Sequence, residues 1–127
     1  LLVAEDNALN QEIAATLLRM NGARVDCVED GRQALEAFLA SKPGDYDAIL
    51  MDVQMPGMNG YEAAKAIRAQ KSSRPDAGEI PIYAMTANAY TEDISAALNA
   101  GMNGHIAKPV DTAALYRLLK KSMEETE

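Results

Sequence analysis

The chain has 127 residues, of which 48% are hydrophobic and 24% are charged, a balance typical of one globular domain and not of a disordered or membrane-spanning chain. Its 19 acidic and 12 basic residues give a formal net charge of -7, which argues against direct binding to nucleic-acid phosphates. A single cysteine excludes an internal disulfide and a metal site built from several cysteines.

Short apolar segments alternate along the chain with longer segments whose apolar residues recur at helical spacing. The predicted strands are residues 1–4, 23–28, 48–51, 80–85 and 105–107. The predicted inward faces of the helices are Leu9, Ile13, Leu17 and Met20; Leu35, Phe38 and Leu39; Ala63, Ala64 and Ile67; Ile94, Ala97 and Leu98; and Leu115, Leu118 and Leu119. This alternation predicts an α/β doubly wound fold with a parallel sheet between two helical layers, without defining the strand order.

Capping residues and glycines indicate where the helices begin and end. The predicted caps at helix starts are Asp30, Asn59 with Glu62, and Asp111, and the glycines predicted to end helices are Gly22 and Gly101. Residues 70–78, between the third helix and the fourth strand, are polar and rich in turn-forming residues. We interpret this segment as an exposed loop within the domain.

Residues able to bind ions follow four of the five predicted strands. Glu5 and Asp6 follow the first strand, Asp52 the third, Thr86 the fourth and Lys108 the fifth. Ligands of open α/β sheets bind at the carboxyl ends of the strands. Carboxylates suit a hard cation such as Mg²⁺, and a lysine with a hydroxyl can hold a phosphoryl group beside it. Each residue singly is more often a cap or a solvated charge, but the combination favours a functional site.

With these residues, the chain resembles the CheY-like receiver domain of two-component response regulators over residues 1–127. The resemblance is carried by Glu5-Asp6-Asn7, Asp52-Val-Gln-Met-Pro-Gly-Met-Asn-Gly60, Met85-Thr86-Ala87 and Lys108-Pro109. It implies a flavodoxin-like (βα)5 fold with a five-stranded parallel sheet of order 2-1-3-4-5. That order would place Glu5 and Asp6 next to Asp52.

The resemblance also implies a role for each site residue. Asp52 is the phosphoacceptor, and the domain catalyses both the transfer to Asp52 and the hydrolysis of the product. The implied ligands of Mg²⁺, or of Mn²⁺ in its place, are Glu5, Asp6, Asp52 and the backbone carbonyl of Gln54. Lys108 pairs with a phosphoryl oxygen, and Thr86 donates a hydrogen bond to the same group. The remaining implied roles are the conformational switch, Thr86 with His105, and the structural residues Pro109, Gly57 and Gly60.

His105 departs from the family pattern, which usually has Tyr or Phe at this position. A histidine there could add pH sensitivity to the switch, or it could be an exposed ring in a muted switch. We favour the second interpretation.

Glu5, the segment Asn7-Ala-Leu-Asn10 and the segment Met85-Thr-Ala-Asn-Ala89 resemble receivers of hybrid sensor histidine kinases. A start without Met fits a C-terminal receiver excised from such a kinase, in its cytoplasmic part. The implied partner is the phosphohistidine of a kinase core or of a histidine phosphotransfer domain, docking around the first helix at Asn10 and Ala14. We expect no direct contact with nucleic acid or membrane, and phosphorylation-dependent self-association is left open.

Three other classes of function compete with this interpretation. A phosphatase of the haloacid dehalogenase type wants a second acid two residues after its nucleophile, where this chain has Gln54. A flavodoxin would bind a phosphate at its first loop, where Glu5 and Asp6 would repel it. A pseudo-receiver that docks without phosphorylation would not need the complete set of Asp52, Thr86 and Lys108. The receiver interpretation is therefore preferred.

Overall fold

The computed structural model describes residues 1–20, 22, 24–42, 45–53, 55, 57–86, 91–107 and 117. The strands are β1 (Leu2–Ala4), β2 (Asp26–Val28), β3 (Ile49–Asp52), β4 (Ile82–Thr86) and β5 (Gly104–Ala107). The α-helices within the described residues are α1 (Ala8–Met20), α2 (Gly31–Ala40), α3 (Gly60–Arg68) and α4 (Thr91–Asn99), and two short 3-10 helices cover Ala69–Ser72 and Pro75–Gly78. Apart from Arg117, which is helical, the predicted fifth helix lies outside the described residues together with its cap Asp111, as do Gln54, Lys108 and Pro109.

All five strands run parallel in the order β2-β1-β3-β4-β5, which confirms the flavodoxin-like order. In this sheet β1 and β3 are neighbours, with Ala4 opposite Met51. β4 lies on the other side of β3, with Met85 opposite Asp52. The carboxyl ends of β1, β3 and β4 therefore meet at one edge of the sheet.

The three central strands are buried along their whole length, as their unbroken apolar composition predicts. Successive side chains point to opposite faces, so each strand contributes to two apolar clusters. On one face Leu2, Ile49 and Ile82 pack with Phe38 of α2 and Ile67 of α3. The cluster on the other face contains Val3, Leu50 and Met85 with Ala14 and Leu18 of α1. Among the described residues, the helices are all too short or too polar to traverse a bilayer.

The helix caps predicted for α2 and α3 are present. The Gln33 backbone N–H donates to Asp30 Oδ1 over 2.8 Å at the start of α2. At the start of α3, the Glu62 N–H donates to Asn59 Oδ1 over 2.9 Å and the Asn59 N–H donates to Glu62 Oε1 over 3.3 Å, which forms a capping box. After α4, Gly101 adopts a φ of 92°, the left-handed conformation that ends many helices.

The inward face predicted for α1 is wrong. Its buried residues are Ala14, Ala15 and Leu18, while Leu9 is 65% exposed and Met20 is 78% exposed. Ile13, Leu39 of α2 and Leu98 of α4 are exposed as well, against the prediction for their helices. Since α1 carries two apolar stripes, its periodicity does not say which of them faces the sheet. The stripe with small alanines lies against the sheet.

The prediction of an exposed loop at residues 70–78 is wrong at Arg74 and Ala77. Ala77 is buried, and the Arg74 guanidinium forms a two-pronged ion pair with the Asp76 carboxylate, at 2.9 Å and 3.2 Å. The same guanidinium donates to the carbonyl oxygens of Phe38 and Ser41, and it lies 4.3 Å from the centre of the Phe38 ring. The last carbonyls of a helix carry partial negative charge, so a cation bound at this helix end stabilises the end of α2.

We expect Arg74→Ala to lower the free energy of unfolding by about 2–3 kcal/mol, because it removes charge-assisted hydrogen bonds from a side chain that is only 11% exposed. Urea denaturation monitored by circular dichroism measures this loss. The matched control is Arg32→Ala, which breaks a pair with Glu36 whose arginine side chain is 80% exposed. That variant should lose less than about 0.5 kcal/mol. Equal losses in the two variants would contradict the role assigned to Arg74.

Candidate functional site

Three carboxylates meet at the carboxyl edge of the sheet. One ligand oxygen from each of Glu5, Asp6 and Asp52 can be chosen so that all lie within 4.8 Å of one another. Glu5 is 2% exposed and Asp52 is 3% exposed, whereas Asp6 lies open to solvent. The grouping follows from the strand order, because β1 and β3 are neighbours and both acids of the first loop begin where β1 ends.

Hydrogen bonds fold the loop that carries Glu5 and Asp6 into a turn. The Glu5 N–H donates to the Val28 carbonyl over 3.0 Å and extends the pairing between β1 and β2 by one residue. The Asn7 N–H donates back to Glu5 Oε1 over 3.2 Å. The Asn10 N–H donates to Asn7 Oδ1 over 3.0 Å and so caps the first turn of α1. The acidic loop is thus held between a strand end and a helix start.

The segment after Asp52 turns sharply against the start of α3. Gly57 has a φ of 71°, a conformation that favours glycine. The Gly60 N–H donates to the Val53 carbonyl over 3.3 Å, and a Cβ at Gly60 would collide with the Asp52 carbonyl oxygen and lie 2.9 Å from Val53 Cα. Glycine at position 60 therefore allows α3 to begin directly against the backbone of the proposed phosphoacceptor.

Thr86 ends β4 beside this cluster and is buried. It lies one residue beyond Met85, the partner of Asp52, and it pairs with Ala107 of β5. His105 is half-buried and pairs with Ala84. Because Ala84 and Thr86 are two residues apart on β4, His105 lies on the same face of the sheet as Thr86.

The donor atoms of the cluster fit a hard divalent cation. Glu5, Asp6 and Asp52 supply carboxylate oxygens, the ligands that Mg²⁺ prefers in proteins. Two of the three are buried, so a cation between them would offset the repulsion of like charges brought close together. The arrangement can therefore hold a cation next to Asp52, with the buried Thr86 hydroxyl on the adjacent strand.

Two residues that the sequence analysis overlooked support this site. The Gln11 side-chain amide donates to the carbonyl oxygens of Glu5 and Val28. The Gly31 N–H donates to the Met58 carbonyl over 3.2 Å, and a Cβ at Gly31 would lie 3.0 Å from the Asn59 carbonyl. Nothing local in the sequence distinguishes either residue, because the contacts of Gln11 with Val28 and of Gly31 with Met58 join elements that are distant along the chain.

The fold and the site define a flavodoxin-like α/β domain with an acidic edge whose carboxylates could hold a cation. The family model of the response regulator receiver domain matches residues 1–120, and the chain belongs to this family. It is a receiver domain of two-component systems, homologous to the receivers of hybrid histidine kinases.

Two curated relatives are histidine kinases far longer than this chain. Hybrid signal transduction histidine kinase I of Dictyostelium discoideum is 41% identical over 120 residues, which are 93% of this chain and 7% of the relative. Probable histidine kinase 5 of Oryza sativa subsp. japonica is 36% identical over 140 residues, covering 98% of this chain and 12% of the relative. The chain thus spans only a small part of these relatives.

Solved structures share the fold over nearly the whole chain. The receiver domain of sensor histidine kinase PA1611 from Pseudomonas aeruginosa, with a magnesium ion coordinated in its active site cleft, has a TM-score of 0.85 and 41% identity, covering 97% of this chain and 95% of that one. A receiver domain from Saccharomyces cerevisiae, in complex with a histidine phosphotransfer protein, has a TM-score of 0.84 and 30% identity, covering 94% of this chain and 85% of that one. The fold and family predicted from the sequence are confirmed.

We expect Gly60→Ala to destabilise the domain by about 1–3 kcal/mol, because the added methyl group overlaps the backbone at Asp52 and Val53. Thermal unfolding measures the loss. Gly78→Ala is the matched control, since its Cβ would make an ordinary contact of 3.4 Å with Lys71. If Gly60→Ala is as stable as that control, the close approach of α3 to Asp52 is not needed for the fold.

Proposed function

We propose that this receiver domain takes a phosphoryl group from a phosphohistidine onto Asp52 and changes conformation in response, as part of a hybrid sensor histidine kinase. The observation that carries the proposal is the convergence of Asp52 with Glu5 and Asp6 within 4.8 Å at the carboxyl edge of the sheet. The identity to hybrid kinases supports the context. Such a kinase would place the domain in the cytoplasm, next to its phosphohistidine.

In the proposed transfer, an Asp52 carboxylate oxygen attacks the phosphorus atom of the phosphohistidine. The new phosphorus–oxygen bond forms as the phosphorus–nitrogen bond breaks, and the imidazole leaves with the electron pair. Bound Mg²⁺, or Mn²⁺ in its place, would offset the negative charge of the transferring group. Its proposed ligands are Glu5, Asp6, Asp52 and the backbone carbonyl of Gln54, the last of which lies outside the described residues.

The remaining roles are those that the receiver family implies, and the positions of the strand ends are compatible with them. Thr86, beside the partner of Asp52, would donate its hydroxyl to a phosphoryl oxygen and so report phosphorylation to the rest of the domain. Lys108 follows Ala107, the residue that pairs with Thr86, and would bind a second phosphoryl oxygen. His105 shares the face of Thr86 and is half-buried, which favours a ring that responds to Thr86 over the exposed ring of a muted switch preferred from the sequence. Fixed donors aimed at a transferring phosphoryl group are the main source of catalysis in such reactions.

The phosphohistidine would reach Asp52 through a partner that docks on α1. Leu9 and Ile13 are exposed on this helix, and Asn10 lies exposed between them. Ala14, which the sequence analysis assigned to this surface, is buried against the sheet and cannot contact a partner. We assign the exposed apolar stripe of α1 to a histidine phosphotransfer domain. The Saccharomyces cerevisiae complex of a histidine phosphotransfer protein with a receiver domain supports a partner of this kind.

Asp52→Asn should abolish phosphorylation, because the amide lacks the nucleophilic carboxylate. The measurement is intact mass after incubation with Mg²⁺ and acetyl phosphate, with a single hydroxylamine-sensitive phosphoryl adduct expected in the wild type. The matched control is Asp47→Asn, an exposed acid that precedes β3 at the opposite end of the same strand, which should be labelled like the wild type. Full labelling of Asp52→Asn would refute the assignment. A wild type that neither forms the adduct nor binds beryllofluoride would favour a docking module that works without phosphorylation.

Ile13→Glu should slow phosphoryl transfer from a phosphorylated histidine phosphotransfer protein by about tenfold or more, because a charge in an apolar interface costs about 1.4 kcal/mol or more. The transfer rate is measured as the loss of the phosphoryl label from the Saccharomyces cerevisiae histidine phosphotransfer protein. Labelling by acetyl phosphate should be unchanged, since this donor needs no docking. Leu98→Glu, a matched change on the exposed face of α4, should leave both rates unchanged. Equal slowing by both variants would argue against docking on α1.

A further inference from the structure

We propose that Gln11 is a positioning residue that fixes the peptide between Glu5 and Asp6 and thereby sets the geometry in which these two carboxylates bind a divalent cation. The inference rests on the proposed function of the acidic cluster and adds a residue outside it. Gln11 lies in the first turns of α1 and is half-buried.

The Gln11 side chain uses both hydrogens of its amide. Its Nε2 atom lies 3.1 Å from the Glu5 carbonyl oxygen and 3.0 Å from the Val28 carbonyl oxygen. Backbone carbonyls only accept hydrogen bonds, so the group facing them must be the NH₂ and not the amide oxygen. The chemistry of the two acceptors therefore fixes the orientation of this side chain and requires a donor with two hydrogens.

The Glu5 carbonyl belongs to the peptide that joins the two acids. In an extended strand, consecutive side chains point to opposite faces, so Glu5 and Asp6 would diverge. Their ligand oxygens instead converge with that of Asp52, because the chain leaves the extended conformation and bends at Asp6 and Asn7. The rotation of the peptide between Glu5 and Asp6 sets this convergence, and Gln11 holds the oxygen of that peptide.

The second acceptor connects this peptide to the sheet. The Val28 carbonyl also accepts the Glu5 N–H over 3.0 Å, so it is anchored at the end of β2. The backbone N–H of Gln11 donates to the Asn7 carbonyl over 2.9 Å. Gln11 thus binds the acidic loop at two points: its backbone N–H bonds to Asn7, and its side-chain amide bonds to Glu5.

Gln11→Leu keeps an apolar stem of similar size and removes both donors. Groups that orient metal ligands typically contribute 10–100-fold to affinity, and we expect the dissociation constant for Mg²⁺ to rise about tenfold. Half-maximal labelling by acetyl phosphate should require a correspondingly higher Mg²⁺ concentration. The maximum labelling rate at saturating Mg²⁺ should stay within about twofold of the wild type. A purely structural role would lower stability and leave this Mg²⁺ dependence unchanged.

The experiment compares wild type, Gln11→Leu and the control Gln33→Leu by calorimetric titration with MgCl₂, and by thermal unfolding and amide hydrogen exchange in EDTA. Gln33 also uses its side-chain amide on the backbone, accepting the Glu29 N–H over 2.9 Å, but it does not bond to the Glu5–Asp6 peptide. Gln33→Leu should bind Mg²⁺ like the wild type. In metal-free protein, the Glu5 amide should exchange faster in Gln11→Leu alone.

The outcomes separate this inference from the proposed function. If the wild type binds Mg²⁺ and Gln11→Leu binds it equally well, the inference is refuted and the function of the cluster stands. If the wild type fails to bind Mg²⁺, the function fails and the inference with it. If Gln11→Leu does not fold, Gln11→Asn decides by the same titration, because its shorter side chain cannot reach both carbonyls. Wild-type affinity in that variant overturns the inference.

Discussion

The adjacency of β1 and β3 in a fully parallel sheet is the constraint on which the rest of this structure depends. It brings Glu5 and Asp52, both buried, to within ligand distance of Asp6, an arrangement that like charges resist. Apolar packing offsets this repulsion, because the short central strands are apolar on both faces and are covered by helices on both sides. A rigid apolar sheet thus holds acidic groups in a geometry that they would not adopt alone.

The two ends of the sheet serve different purposes. The carboxyl edge holds the acids and Thr86, whereas at the opposite end Arg68 binds neutral oxygens. The Arg68 guanidinium donates to the Gly101 carbonyl over 2.9 Å, to the Ala77 carbonyl over 3.0 Å and to Asn103 Oδ1 over 2.8 Å. Burial lowers the pKa of Arg68 from its ordinary value. These bonds connect the end of α3 to the segments that lead into β4 and β5. The amino-terminal ends of these two strands are therefore fixed when the conformation changes at their carboxyl ends.

The sequence predicts most of this structure where one local rule is sufficient. Unbroken apolar segments identify the buried strands, Asp30 and Asn59 identify helix starts, and acids at the carboxyl ends of β1 and β3 identify the candidate site. The strand order came only from the resemblance to the receiver family. Prediction failed where two local rules compete or where a contact spans the chain. In α1 both apolar stripes have helical spacing, and Arg74 lies in a polar segment whose acceptor at Phe38 is 36 residues away.

The same helix, α1, serves the proposed metal site and the proposed partner without conflict between them. Successive residues of a helix are about 100° apart, so Gln11 lies about 200° from both Leu9 and Ile13 around the axis. Its amide points inward to the Glu5 carbonyl, while the two apolar side chains project outward. If the proposed partner docks on this stripe, surface changes at Leu9 or Ile13 would alter which histidine donor is accepted without moving the peptide between Glu5 and Asp6. Separation around one helix lets donor choice and cation geometry vary independently within a small domain.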